Sequence, residues 1–273
     1  QVIYDDNVNL LQFLIAKNNF DIDDQYFNSF FEMNDFLENA SLLEYSCFYG
    51  SINCFKFLLA KSNSYLIDFD RLLNYSISGG NYEIIHIVER EGHFKSYKEE
   101  TLSYAILYLR NDLIEYIINN YKIQISPIAY INCIYASNYD AMILLNKLDQ
   151  SNAINEFGSN GSTPIDIASF EGYLDFFKFI LHSFKNVDLT IRNSFGKTIL
   201  HSAAKGKKPD LVKYIVKHDL VDPRILSNSG YTAADFVIFK LKDYDLADLV
   251  EDAEIKWNKN DPNKEHENEE EEN

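Results

Sequence analysis

The chain has 273 residues, 46 % of them hydrophobic, with 20 Phe and 19 Tyr but only 10 Gly and 5 Pro. That is ample material for a core and argues against long disordered linkers. A net charge of −17 repels phosphate backbones and disfavours nucleic acid, and no window approaches the charge-free apolar length that crosses a membrane.

In chain order, the first element is the apolar run Asn9–Ile15, spaced as an outer helix, followed by the aromatic amphipathic run Tyr26–Met33. Residues 1–40 are expected to form an atypical N-terminal helical unit or cap. Helix pairs then follow without a gap, with reversals expected at Gly50, Gly80, Leu109, Ser137, Gly172, Lys207 and Leu241. The interval between reversals is close to thirty up to Ser137 and close to thirty-five beyond it. The shorter period over 41–155 implies helix pairs with abbreviated connections; 156–255 has room for a polar, extended segment between pairs. Two helix openings in the short region are Ser41-Leu42-Leu43-Glu44 and Arg71-Leu72-Leu73-Asn74. Tyr244–Val250 closes the last pair, with Trp257 over its exposed face. Residues 256–273 are expected to be a disordered acidic tail, since 261–273 hold seven acids and one base.

Two stretches repeat closely: GSTPIDIASFEGYLDFFKFIL at 161–181 and GKTILHSAAKGKKPDLVKYIV at 196–216, with GYTAADFV opening again at 230. The glycines Gly161, Gly196 and Gly230 that open them recur at the longer of the two intervals. Thr163 suits a helix N-cap and Pro164 the first helical position, with Asp166 placed to close a capping box. Gly172 permits the reversal into the next helix. Thr198 and Thr232 stand in for Thr163, and His201 follows Thr198 at the box position. Ala203 and Ala204 suit close packing of neighbouring inner helices.

A period in the low thirties carrying G-x-T-P-L-H-x-A resembles the ankyrin-repeat family. The shortened upstream units and the Asn-, Ile-, Tyr- and Lys-rich composition are similar to the expanded ankyrin families of single-celled eukaryotes. The resemblance implies an all-α solenoid of helix-turn-helix units, with short β-turn fingers in the C-terminal units at 152–160, 187–195 and 221–229. It implies protein binding through the concave face and finger tips. On this sequence the contact positions are Ser159, Asn160, Ser162, Phe170 and Glu171 in one unit, and Ser194, Phe195, Lys197 and Lys205 in the next. In the last they are Asn228, Ser229, Tyr231 and Phe239, and Phe48 and Tyr49 are the inner-helix pair of the first clear unit. Phe170 and Phe239 fit packing on an adjacent unit equally well. The resemblance also makes His201 a local, structural hydrogen-bonding residue.

No catalytic constellation, cofactor motif or metal-ligand spacing is present among the histidines, cysteines and acids. Cys47, Cys54 and Cys133, sparse and unpatterned, read as buried reduced thiols. That favours a cytoplasmic or nuclear location, and the glycosylation-like triplets at Asn39, Asn74 and Asn160 read as silent. Lys205, Lys207, Lys208 and Lys213 form the one basic cluster. It reads as a solvated turn, with a phosphate, an acidic peptide or the chain's own tail as alternative ligands. Three readings of function remain. The first is a non-catalytic, monomeric scaffold binding a protein partner; the second is an acidic-tail-driven binder, chaperone or inhibitor of basic proteins. The third, suggested by a first residue that is not methionine, is a regulatory segment of a larger enzyme.

Overall fold

A computed structural model describes residues 1–23, 37, 39–94 and 98–259. Among these are fifteen α-helices and no strand, in two compact units divided between residues 124 and 125. The first unit holds α1 (Val8–Asn18) and three helix pairs. These are α2 (Leu42–Phe48) with α3 (Ile52–Lys61), α4 (Phe69–Gly79) with α5 (Tyr82–Gly92), and α6 (Glu99–Leu107) with α7 (Asn111–Tyr121). The second holds α8 (Pro127–Tyr135) with α9 (Tyr139–Leu148), and α10 (Pro164–Glu171) with α11 (Leu174–Ser183). It continues with α12 (Ile199–Lys205) and α13 (Pro209–Lys217), then α14 (Ala233–Leu241) and α15 (Tyr244–Lys259). Within each unit the inner helices pack side by side and each is backed by its outer partner.

Apolar spacing decides which helix is which. In α13, Leu211, Val212 and Ile215 are buried while Asp210, Lys213 and Lys217 face water, the one-sided pattern of an outer helix. In α12 every residue from Ile199 to Ala204 is buried, as an inner helix flanked on both sides requires. Six of the seven reversal residues carry positive φ: Gly50, Gly80, Leu109, Ser137, Gly172 and Lys207. At Gly50, Leu109, Ser137 and Lys207 the next residue's N–H reaches back five residues, as in Ser51 to Ser46 (2.9 Å) and Lys208 to Ala203 (3.0 Å). This Schellman closure satisfies the last helical carbonyls. The seventh reversal is Lys242, with φ 56, and not Leu241. Leu241 is the ninth residue of α14 and keeps its side chain half-buried, so the left-handed turn passes to the exposed Lys242.

Helix starts are set by local chemistry. Ser41 and Glu44 form a reciprocal capping box, and Thr198 with His201 another. Arg71–Asn74 does not open a helix: Asp68 caps α4 three residues earlier, and Arg71, already inside it, pairs with Glu44 at 3.0 Å. Ser126 and Pro127 open α8 in the manner of Thr163 and Pro164.

Connections between pairs are seven residues (62–68) and six (93–98) in the first unit, and fifteen in the second (149–163, 184–198 and 218–232). Asp6 serves the first unit in another way. Ser51 makes no side-chain cap on α3, and the Asp6 carboxylate accepts from the N–H groups of Asn53 (3.1 Å) and Cys54 (2.8 Å) instead. At the other end α15 runs through Lys259, beyond the expected boundary at 256, because Lys256 pairs with Asp219 (2.6 Å) and Asn258 accepts from Arg224 (3.1 Å). Trp257 is half-buried on this helix. Tyr26–Met33 and residues 260–273 lie outside the described residues.

Candidate functional site

Each fifteen-residue connection of the second unit ends in the same tight hairpin. Gly158 N–H donates to the Ser162 carbonyl and Gly161 N–H to that of Gly158, both at 2.9 Å. Asn193 to Lys197 (2.9 Å) with Gly196 to Asn193 (2.8 Å) repeats it, as does Ser227 to Tyr231 with Gly230 to Ser227, both 2.9 Å. The third loop residue must be left-handed, which is why it is Gly161, Gly196 and Gly230, with φ 73, 69 and 77. The fingers are stitched together by backbone bonds from Ser194 to Gly161 (2.9 Å) and Asn228 to Phe195 (3.0 Å).

Asn193 holds the central finger. Its Oδ1 accepts from the N–H groups of Phe195 (3.0 Å) and Lys197 (3.1 Å), and its Nδ2 donates to Asp166 Oδ2 (2.9 Å). Asp166 therefore does not close the expected box on Thr163, although Thr163 Oγ1 does accept from Asp166 N–H (3.3 Å). Its side chain is drawn to the next finger, and Oδ1 has no hydrogen-bond partner among the described residues. His201 does more than the local role expected of it. Its Nδ1 faces the Thr198 N–H (3.3 Å) and hydroxyl (2.9 Å), while Nε2 donates to the Tyr231 carbonyl of the following finger (3.1 Å). Burial holds its pKa below the ordinary imidazole value, so the neutral ring ties two repeats together.

Where fingers meet inner-helix ends, an unbroken row of rings and lysines runs across three repeats. Lys205 Nζ lies over Phe170 (5.6 Å) and Phe195 (5.7 Å); Lys197 Nζ lies over Phe195 (5.7 Å) and Phe236 (4.5 Å). Phe236 meets Tyr231 edge-on at 6.3 Å, and Tyr231 meets Phe239 at 5.5 Å. Four of these rings are open to water: Phe170 (37 %), Tyr231 (44 %), Phe195 (55 %) and Phe239 (58 %). Lys197 is half-buried, and burial first, then the neighbouring Lys205 charge, pulls its pKa down.

A profile for "Ankyrin repeat" matches residues 195–228, the central finger and helix pair of this row. A second, "Domain of unknown function (DUF3447)", matches residues 63–145. The crystal structure of the human ASB11 ankyrin repeat domain is similar over 73 % of this chain and 88 % of that chain, with TM-score 0.50 and 15 % identity. The chain carries an ankyrin repeat and has the fold of an ankyrin-repeat domain. A search of curated proteins finds no match.

The second unit, which holds the ankyrin repeat, brings most of the candidate contact residues together. Ser159, Asn160, Ser194, Asn228 and Ser229 are exposed at the finger tips, and Lys205 with Phe170 and Phe239 at the inner-helix ends. Ser162 is the exception: it is only 9 % exposed, a short side chain at the position where the next two hairpins carry Lys197 and Tyr231. Glu171 is half-buried close to Tyr135, whose hydroxyl is held above the ordinary phenol pKa by burial first and then by the Glu171 charge. Phe48 and Tyr49 belong to the first unit. There Phe48 is half-buried against Tyr108 (5.3 Å), and Tyr49 meets Tyr4 edge-on (5.5 Å). Two participants escaped the sequence reading. Phe236 has no counterpart ring in the two preceding repeats, where Ile167 and Ser202 hold its place. Asn193 was hidden because its role is shared with Ser227 and, without a side chain, Gly158. The lysine cluster is split: Lys205 faces the rings, while Lys208 lies across Gly172. Among the described residues no set of His, Cys, Asp and Glu is placed to hold a metal ion, and no helix is long and apolar enough to cross a membrane.

Proposed function

We propose that this protein is a binding module that grips a segment of a partner protein along the fingers and inner-helix ends of its second unit. Ankyrin repeats serve in general as protein-interaction units, and the fold is typically a non-catalytic one. The observation that carries the reading is the row from Phe170 to Phe239. Of its four open aromatic rings, Phe195 and Tyr231 sit on backbone-stitched fingers and Phe170 and Phe239 on inner helices, and rigid aromatics of this kind are the usual anchors of interfaces. The surrounding serines and asparagines of the finger tips supply a polar rim.

The test is affinity capture from a cell lysate, with washes at low and moderate salt, using the parent and a Phe195→Ala/Phe239→Ala variant. A partner kept by the parent through the salt wash and lost by the variant is the expected result, since each anchor ring is worth about 2 kcal/mol at a hot spot. Identical partners on both proteins would overturn it. Partners that vanish with salt alone would move the function to the charge of the chain.

A further inference from the structure

The charge of the row is opposite to that of the molecule. The chain carries −17, yet the charged members of the row are Lys197 and Lys205, and Lys197 also feels Lys240. Among the described residues neither Lys197 nor Lys205 has a carboxylate within ion-pair distance. Asp166, an acid whose field reaches Lys197, bonds Asn193 through Oδ2. Two neighbouring ammonium groups therefore share the Phe195 ring, facing aromatic rings instead of counter-ions.

Repeat register sharpens this. Phe170, Lys205 and Phe239 occupy one and the same position in three successive repeats; Ser162, Lys197 and Tyr231 occupy a second such position. Both lysines thus fall in the central repeat, with aromatics in the flanking ones. Inner helices that pack side by side stand about 8–10 Å apart, and an extended chain advances about 3.3 Å per residue, so one repeat spans about three residues of a bound strand.

Resting on the reading that this face binds a protein segment, we propose that Lys197 and Lys205 jointly take an aspartate or glutamate side chain of an extended partner peptide, in the pattern apolar-x-x-acid-x-x-apolar. The apolar residues lie on Phe170 at one side and on Tyr231 and Phe239 at the other. The carboxylate relieves the repulsion between the two ammonium groups and forms charge-assisted hydrogen bonds with both. Lys197 is already half-stripped of water in the free protein, so less of its hydration is lost when the anion arrives. Charge complementarity selects the occupant: a basic peptide, drawn by the protein's overall field, would meet like charge at the centre of the row.

The experiment pans a phage-displayed random peptide library on the full chain and on a Lys197→Glu/Lys205→Glu variant. Selected peptides are then measured on these proteins, on Lys197→Gln/Lys205→Gln and on Phe195→Ala/Phe239→Ala, each checked by circular dichroism and melting. The expected result is peptides with Asp or Glu three residues from apolar positions, bound about tenfold or more weakly by the Gln variant, as loss of a charge-assisted bond implies. The Glu variant is expected to select Lys or Arg at the same place. Changing the peptide's acid to its amide should cost affinity on the parent and nothing further on the Gln variant.

Peptides that need Phe195 and Phe239 but ignore both lysines would overturn this inference and leave the protein-binding reading standing. Peptides indifferent to both pairs would overturn both. A chain ending at Lys259 that binds the selected peptides far more tightly than the full chain would also overturn it, giving the site to the chain's own acidic C-terminal residues instead of a partner.

Discussion

The two units use the same helix pair and join their repeats differently. In the first, connections of seven and six residues are less than half the length of those in the second, and side chains tie neighbouring pairs together. Asn81 Nδ2 donates to the Gly50 carbonyl (2.9 Å), Arg110 Nε to that of Ser78 (2.8 Å), and Thr101 Oγ1 to Asn74 Oδ1 (3.1 Å). In the second, fifteen-residue connections move the stitching out to the fingers, where backbone bonds join neighbouring fingers and Asn193 and His201 add side-chain ties. The fingered repeats thereby set Phe170, Phe195, Tyr231 and Phe239 in one row with Lys197 and Lys205.

Both units obey one packing rule. The residue four before each of the first six reversals is small and wholly buried: Ser46, Ser76, Ala105, Cys133, Ala168 and Ala203 are all 0 % exposed. Inner helices also meet backbone to backbone. A Cβ on Gly79 would lie 2.2 Å from the Cys47 carbonyl oxygen, and one on Gly206 1.9 Å from that of Phe170.

The largest effect should come from breaking that contact. Gly206→Ala and Gly79→Ala force backbone apart, and each is expected to cost about 3 kcal/mol, at the upper end of overpacking penalties. Amide exchange should place the loss in α10–α13 for Gly206 and in α2–α5 for Gly79. Equal melting of parent and variants would mean that the inner helices stand further apart. Next, Ala203→Leu and Ala105→Leu should cost about 2 kcal/mol each in chemical denaturation, testing whether the small-residue rule is as strict without fingers as with them.

A third change addresses the first unit alone. Asp6→Ala removes the distant cap of α3 and should lower stability by about 1 kcal/mol, the usual worth of an N-cap. Amide exchange at Asn53 and Cys54 should rise while the fingers stay protected. The smallest and most conditional effect lies at the closing helix of the second unit. The Glu254 carboxyl is pushed up to about 7, from 4.5, by burial first and then by Glu251, Asp235 and Asp222. Between pH 4.5 and 7 the folded chain keeps a proton there that the unfolded chain has released, so stability falls as pH rises through this window. Glu254→Gln should therefore melt higher than the parent at pH 8, with the advantage gone below pH 4.5. A pH-independent difference would remove titration as its cause.

Sequence alone was enough for the repeat period, the helix pairs and six of the seven reversals. Those depend on local rules: apolar spacing, a hydroxyl cap, and a residue that tolerates or is forced into positive φ. It also pointed to Phe170, Phe195, Lys197, Lys205, Tyr231 and Phe239 one by one, through their places in a repeated motif. Tertiary structure decided what those residues form together. Asp166 left its expected local box because Asn193, in the next finger, offered a better-placed amide. Phe236 entered the row because neighbouring repeats stack. Each of these outcomes depends on which residue of the next repeat lies opposite, and that is set by packing between repeats, which no local pattern within one repeat encodes.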